Sequence, residues 1–323
     1  MRNFTSKLAP AIKDYLEFRS TLGYSNRQEY DLAYFDSYCR EYHPDLETLT
    51  KESVHGWINH EISHGRGSME KIIGSVRMLA RYMGNGAYVL PAKILPIRPR
   101  YAPYILTDDE LRRLFHAADN IKEGKHYRKG TSLKLIFPTL LRLMYTCGLR
   151  PNEARLIKRG NINFTTGEIL IAKTKRRKER IVVMSENMLQ QCRKYDVVRT
   201  VANPQSEYFF VRKDGAHVNT QQLNSNFNRC WQQANPEIPE NMLPRVRPYD
   251  LRHRFASTIL HKWINERRDL YAMLPYLRAY MGHEKFSDTA YYIHLLPENL
   301  LNSSGVDWSA IDAVTPEVGI WRS

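Results

Sequence analysis

The sequence predicts a mainly α-helical protein with one small β-hairpin, built as two domains joined by a basic, proline-rich linker. Three observations predict it. Apolar residues recur at helical spacing through residues 5–84 and again over most of the chain from 106 to about 296. Between these stretches lies PAKILPIRPRYAP, where Pro91, Pro96, Pro99 and Pro103 forbid regular structure. Inside the second stretch, TGEILIAKTKRRKERIVVM holds two β-rich runs around a strongly basic turn, which is a hairpin signal. A length of 323 residues also exceeds the usual single domain.

The first domain, residues 1–90, reads as four short helices. Leu8, Ile12, Tyr15, Leu16 and Leu22 mark the first, and Gly23 suits its end. Ser25 with Gln28 spells a capping box before a second helix carrying Leu32, Phe35 and Tyr38, which Pro44 stops. Val54, Trp57, Ile58 and Ile62 mark a third, running into Gly65 and Gly67. Ser68 is placed to cap a fourth, with Ile72, Val76, Leu79 and Met83 on one face. The linker spans 91–105, and the second domain 106–323 opens on another capping box, Thr107 with Glu110. After the hairpin, YFFVRKDG suggests one more short strand, and helical patterns follow.

The net charge of +14 points to a polyanionic partner, nucleic acid first. The excess is concentrated, with 20 Lys and Arg against 10 Asp and Glu between Arg150 and Arg254. Phosphate contacts are expected from the linker, through Arg98 and Arg100, and from the hairpin turn, through Lys173, Arg176, Arg177 and Lys178, so binding should fall steeply with salt. The four cysteines are far apart and have no metal-site spacing, which suits a reducing cytoplasm. LKLIFPTLLRLMYTCGL, the most apolar stretch, is broken by Lys134, Pro138 and Arg142 too soon for a membrane span.

Several residues could carry chemistry, and each has an ordinary structural reading beside it. Arg150 stands in CGLRPNEA, where Gly148 ends one helix and Pro151 suits the first turn of the next; an arginine at a helix start can hold a phosphate. Lys175 sits at the tip of the hairpin, where an ammonium can reach into a groove or simply be solvated. Arg252 lies in RPYDLRHRFAST, a helical stretch whose Leu251 and Phe255 face the core. His283 follows Gly282 in YMGHEKFSD. In DTAYYIHLLP, Tyr291 and Tyr292 point in different directions on a helix, so one at most faces a given site.

Taken in order, GLRPNE, the basic hairpin, PYDLRH, MGH and a tyrosine nine residues later resemble the tyrosine recombinase (phage integrase) family, over nearly the whole chain. The resemblance implies a four-helix, SAM-like core-binding domain that contacts DNA, followed by a catalytic domain with a C-terminal tail. It implies that Arg150 and Arg252 clamp a scissile phosphate, that Lys175 (with Lys173 the second choice) protonates the 5′-oxygen, and that His283 hydrogen-bonds the phosphate. Glu153 matches the acidic residue that supports the pocket, and Tyr292 the nucleophile, while Tyr291 packs. The chemistry suits these residue types. Bidentate guanidiniums match the charge that develops on phosphate, and the covalent 3′-phosphotyrosine conserves the bond energy without ATP, metal or other cofactor.

One position departs from the family. Its H-x-x-R box carries Tyr249 where histidine or lysine is usual. A phenol donates to phosphate but accepts protons poorly near neutral pH, so Tyr249 is expected to be a phosphate donor, and His253 beside Arg252 a structural residue. The implied partner is double-stranded DNA with specific recombination sites. The protein is expected to be a tetramer on DNA and a monomer off it, in the bacterial cytoplasm, working with or without accessory proteins that set direction. The layout is that of Xer-like and transposon-encoded recombinases, passing through a Holliday junction. The tail, with Leu295, Leu296, Leu300, Trp308 and Ile311, docks either on a neighbouring protomer or on its own domain. A type IB topoisomerase activity and a catalytically silent DNA-binding accessory protein are the alternatives.

Overall fold

The computed structural model describes residues 2–24, 27–64, 69–84, 86–92, 102–121, 133–172, 179–212 and 214–293. The chain divides into two compact units, Met1–Arg100 and Tyr101–Ser323.

The first unit holds α1 (Ala9–Thr21), α2 (Gln28–Tyr42), α3 (Lys51–Ser63) and α4 (Met69–Met83). Their apolar stripes close on one core in which Ile12, Leu16, Leu32, Phe35, Trp57, Val76 and Leu79 are inaccessible to solvent. The Phe35 and Trp57 rings meet edge to face, 5.0 Å apart. Buried Asp36 anchors the start of the chain by accepting from the Thr5 and Ser6 amides and the Ser6 hydroxyl. Thr50 and Ser53 close a capping box at the head of α3. Ser25 and Ser68, the expected caps of α2 and α4, lie outside the described residues. Gln28 is the first residue of α2, and its side chain accepts from the Tyr15 hydroxyl at 2.6 Å. Two expected core positions are corrected: Leu22 and Ile62 are more than half or half exposed, because α1 ends at Thr21 and because Glu61, not Ile62, turns inward near the end of α3.

The second unit opens with α5 (Asp108–Asp119), whose capping box is Thr107 with Glu110, as expected. It continues through α6 (Leu133–Thr146), the short α7 (Pro151–Arg155), a single 3₁₀ turn, β1 (Glu168–Ile171), β2 (Arg180–Val183), α8 (Glu186–Ala202), α9 (Thr220–Ala234), α10 (Asp250–Asn265), α11 (Leu270–Met281) and α12 (Ser287–Ala290). α6 is buried on nearly every side, Pro138 included, because α5, α8 and α10 all pack on it. β1 and β2 pair antiparallel, with Glu168 opposite Val183 and Ile171 opposite Arg180. Ile169, Ile171 and Val182 point inward, and Leu170, Ile181 and Val183 outward.

The strand expected at YFFVRKDG is absent among the described residues, which show only isolated bridges there, Lys158 with Tyr208 and Val211 with His217. The reason lies in the side chains. Phe209 and Phe210 are consecutive yet both pack on the one Tyr195 ring, whereas a strand sends successive side chains to opposite faces. No described helix is long and apolar enough to cross a membrane.

Candidate active site

The site forms where two helices end. α6 is closed by Gly148 at φ +60°, with the Leu149 amide returning to the Met144 carbonyl at 3.0 Å. α11 is closed by Gly282 at φ +64°. In both places the last carbonyls of a helix, which carry its negative end, point out unsatisfied by the helix itself. Two arginines satisfy them. Arg252 donates to the Gly148 carbonyl and to the Met281 carbonyl, both at 2.6 Å. Arg150 donates to the Gly282 carbonyl at 2.9 Å. Gly148 has no room for a side chain, since a Cβ would lie 2.5 Å from the Phe255 ring.

Arg150 itself is the N-cap of α7, in extended conformation before Pro151. Glu153, three residues on, accepts from the Arg150 amide at 2.9 Å and from its guanidinium at 2.6 Å. The same carboxylate accepts both prongs of Arg180, at 3.0 and 2.8 Å, and approaches Arg252 at 3.9 Å. Arg180 also donates to the Tyr280 carbonyl at 2.8 Å. Burial opposes ionisation of Glu153, but the hydrogen bonds and charges of Arg180 and Arg150 outweigh it and bring its carboxyl down to about 2. The result is a buried carboxylate surrounded by three guanidiniums.

Each site arginine still has donors to spare. A guanidinium carries five N–H groups. Arg252, inaccessible to solvent, commits two of them to carbonyls, and among the described residues its Nε–H has no acceptor. Both guanidiniums are thus anchored by carbonyls or Glu153 and keep further N–H groups beyond those bonds.

Tyr292 is 2 % exposed and lies in a turn just after α12. Its ring sits between two imidazoles, His253 at 5.4 Å and His283 at 5.9 Å, the latter stacked within 19° of parallel. Burial pushes the Tyr292 phenol up, against the pull of Arg252 and Arg150. Burial first, then the neighbouring arginines, hold His283 down to about 3; burial, Arg247 and Arg252 do the same for His253. His283 Nδ1 is 2.8 Å from the Thr289 hydroxyl, and among the described residues His253 Nδ1 has no hydrogen-bond partner. The Tyr249 ring packs on His253 at 5.0 Å, and its phenol is near enough to Arg150 to interact with that charge. Tyr291, half-buried, meets Tyr292 edge to face at 6.2 Å.

Of the residues singled out in the sequence, Arg150, Glu153, Tyr249, Arg252, His283 and Tyr292 therefore come together. Lys175, Lys173, Arg176, Arg177, Lys178, Arg98, Arg100 and the tail after Ile293 lie outside the described residues. Sequence reasoning passed over Arg180, Thr289 and the carbonyls of the two helix ends. Arg180 had a visible signal, a charged residue on a short strand beside the basic turn, but nothing in sequence spacing pairs it with Glu153.

The Phage integrase family profile matches residues 105–299. The integrase/recombinase y4rE of Sinorhizobium fredii is 29% identical over 307 residues, covering 91% of this chain and 93% of that protein. The tyrosine recombinase XerC of Oceanobacillus iheyensis is 26% identical over 246 residues, covering 73% of this chain and 72% of its own length. Among solved structures, the Tn1549 transposon integrase in complex with a circular intermediate DNA superposes with a TM-score of 0.63 at 14% identity, covering 87% of this chain and 94% of that one. XerH site-specific recombinase bound to a palindromic difH substrate has a TM-score of 0.60 at 16% identity, covering 84% and 76%. At such identities the two structures speak for a shared fold.

Proposed function

Because the chain belongs to the phage integrase family, and is thereby a tyrosine-type DNA recombinase, we propose that Tyr292 attacks a DNA phosphodiester held by Arg150 and Arg252. The observation that carries this reading is the position of Tyr292, buried beside two guanidiniums that the ends of α6 and α11 and the Glu153 carboxylate hold in place. The Tyr292 oxygen forms the bond to phosphorus, the P–O5′ bond breaks, and a 3′-phosphotyrosine results. The phenol proton passes to solvent, and the departing 5′-oxygen takes a proton from Lys175. Attack by a 5′-hydroxyl reverses the step and rejoins the strand. Donors from Arg150, Arg252, His283 and Tyr249 offset the charge that grows on the non-bridging oxygens.

The same reading assigns the N-terminal domain, residues 1–90, and the basic positions Arg98, Arg100, Lys173, Arg176, Arg177 and Lys178 to gripping DNA backbone. The biological reaction is site-specific recombination by a mobile-element integrase. Four protomers assemble on two DNA sites and pass through a Holliday junction in the bacterial cytoplasm. The similarity to the integrase/recombinase y4rE supports the recombination reading.

The test is covalent trapping on a nicked suicide substrate carrying the element's own ends. Wild type and Tyr291→Phe should form a protein–DNA adduct, and Tyr292→Phe none. An adduct with Tyr292→Phe would displace the nucleophile. Relaxation of supercoiled DNA without exchange between sites would favour a topoisomerase instead.

A further inference from the structure

Thr289 touches both residues that flank the proposed reaction. Its hydroxyl oxygen is 2.8 Å from His283 Nδ1, and its carbonyl accepts from the Tyr292 amide at 3.1 Å. It is wholly inaccessible to solvent, in the single turn of α12, where the Thr289 and Ala290 amides donate to the Phe286 carbonyl. A threonine in a helix commonly gives its hydroxyl proton to the carbonyl one turn back. Here, among the described residues, the hydroxyl has one hydrogen-bond partner, the imidazole nitrogen.

That single partner decides where a proton sits. His283 lies among Arg150, Arg180 and Arg252, and burial with these three charges keeps it neutral near pH 7. A neutral imidazole has one N–H, and its two tautomers present opposite faces to a ligand. If Nδ1 carried the hydrogen, it would donate to Thr289 and leave the Thr289 hydroxyl proton buried without an acceptor. That arrangement is costly, and Nε2 would show a lone pair to any anion. If the Thr289 hydroxyl donates to Nδ1, its buried proton has an acceptor and Nε2 carries the imidazole hydrogen.

We infer that Thr289 is a positioning residue that selects the Nε2–H tautomer of His283, so that the imidazole acts as a hydrogen-bond donor to the phosphate. The role given to His283 rests on the function proposed above, whereas the tautomer itself does not. Thr289 also carries the Tyr292 amide, so the donor and the nucleophile are set by one residue across the α12 turn.

The experiment reads the tautomer directly. Two-bond proton–nitrogen spectra of histidine-labelled, DNA-free protein separate Nδ1–H from Nε2–H imidazoles, and the His283 signals are those lost in His283→Gln. Wild type and Thr289→Ser should show Nε2–H, and Thr289→Val a shift toward Nδ1–H. An Nδ1–H signal in wild type overturns the inference, whatever the variants do. Single-turnover cleavage of the suicide substrate is the second arm. Thr289→Val should cleave roughly tenfold more slowly, the scale of one lost hydrogen bond, with Thr289→Ser recovering the rate. A Thr289→Val protein that shifts tautomer yet cleaves at the wild-type rate would remove His283 from the phosphate while leaving the tautomer assignment intact.

Discussion

Arg180 and Glu153 meet as a two-pronged ion pair, Nη1 to Oε1 at 3.0 Å and Nη2 to Oε2 at 2.8 Å, and the same carboxylate aims Arg150. Under the proposed mechanism Arg180 acts without touching DNA, because it neutralises the carboxylate that holds Arg150. Both side chains are about nine-tenths buried. Removing one partner of such a pair leaves the other charge buried alone, at about 3–5 kcal/mol. Arg180→Ala should therefore lower the urea midpoint and abolish adduct formation together. Arg180→Lys, which keeps the charge but loses the fork, should fall between. An unchanged midpoint in Arg180→Ala would refute the pairing.

The pH dependence of stability follows from the same carboxylate. Despite burial, Arg180 and Arg150 lower its pKa from 4.5 to about 2. A depressed acid stabilises the fold fully above its unfolded value and loses that contribution as the pH falls from about 4.5 toward 2. Glu153→Gln should be less stable at pH 6 and show a shallower loss across that window. Urea denaturation at a series of pH values measures it.

The two histidines on either side of Tyr292 act in a higher window. Burial and nearby arginines lower both from 6.5 to about 3. Between those values the unfolded chain binds protons that the folded chain refuses, so stability rises with pH and is lost as the pH drops below 6.5. Between pH 7 and 5, where Glu153 contributes little, a His253→Gln, His283→Gln double variant should flatten the slope. A slope equal to wild type would mean that other groups carry it.

Gly148 is required twice over, by its φ of +60° and by the Phe255 ring 2.5 Å from where a Cβ would stand. Left-handed strain and overpacking together predict a loss of about 2–4 kcal/mol for Gly148→Ala. Pairing it with Phe255→Leu should recover the steric part alone. Thermal denaturation of the single and double variants separates the two contributions.

Tyr249 stands where the family's usual histidine would be, with its ring on His253 and its phenol beside Arg150. If it donates to the phosphate, Tyr249→Phe should slow single-turnover cleavage roughly tenfold at unchanged stability, the scale of one hydrogen bond to an anion. A rate equal to wild type would make Tyr249 a packing residue.

Much of the fold was legible because its signals are local. Thr107 and Glu110 are three residues apart, so one capping box is visible as a word in the sequence. The stripe Ile72, Val76, Leu79 reports its own helix through its period. Where burial overrode period, the reading failed. The consecutive Phe209 and Phe210 looked like a strand, and Ile62 looked like core.

For the site, the sequence alone determined which residue types are present and in what order: an arginine after a glycine, a second in the tyrosine-containing box, a histidine after a glycine, and a tyrosine nine residues on. Only the tertiary structure decided what holds them. Arg180 reaches Glu153 across 27 residues, Arg252 reaches the Gly148 carbonyl across 104, and Arg150 the Gly282 carbonyl across 132. The last two acceptors are backbone atoms that every residue possesses, and no sequence pattern marks them. They become specific only because α6 and α11 end beside one another, where unsatisfied helix-end carbonyls and buried guanidiniums answer each other's cost.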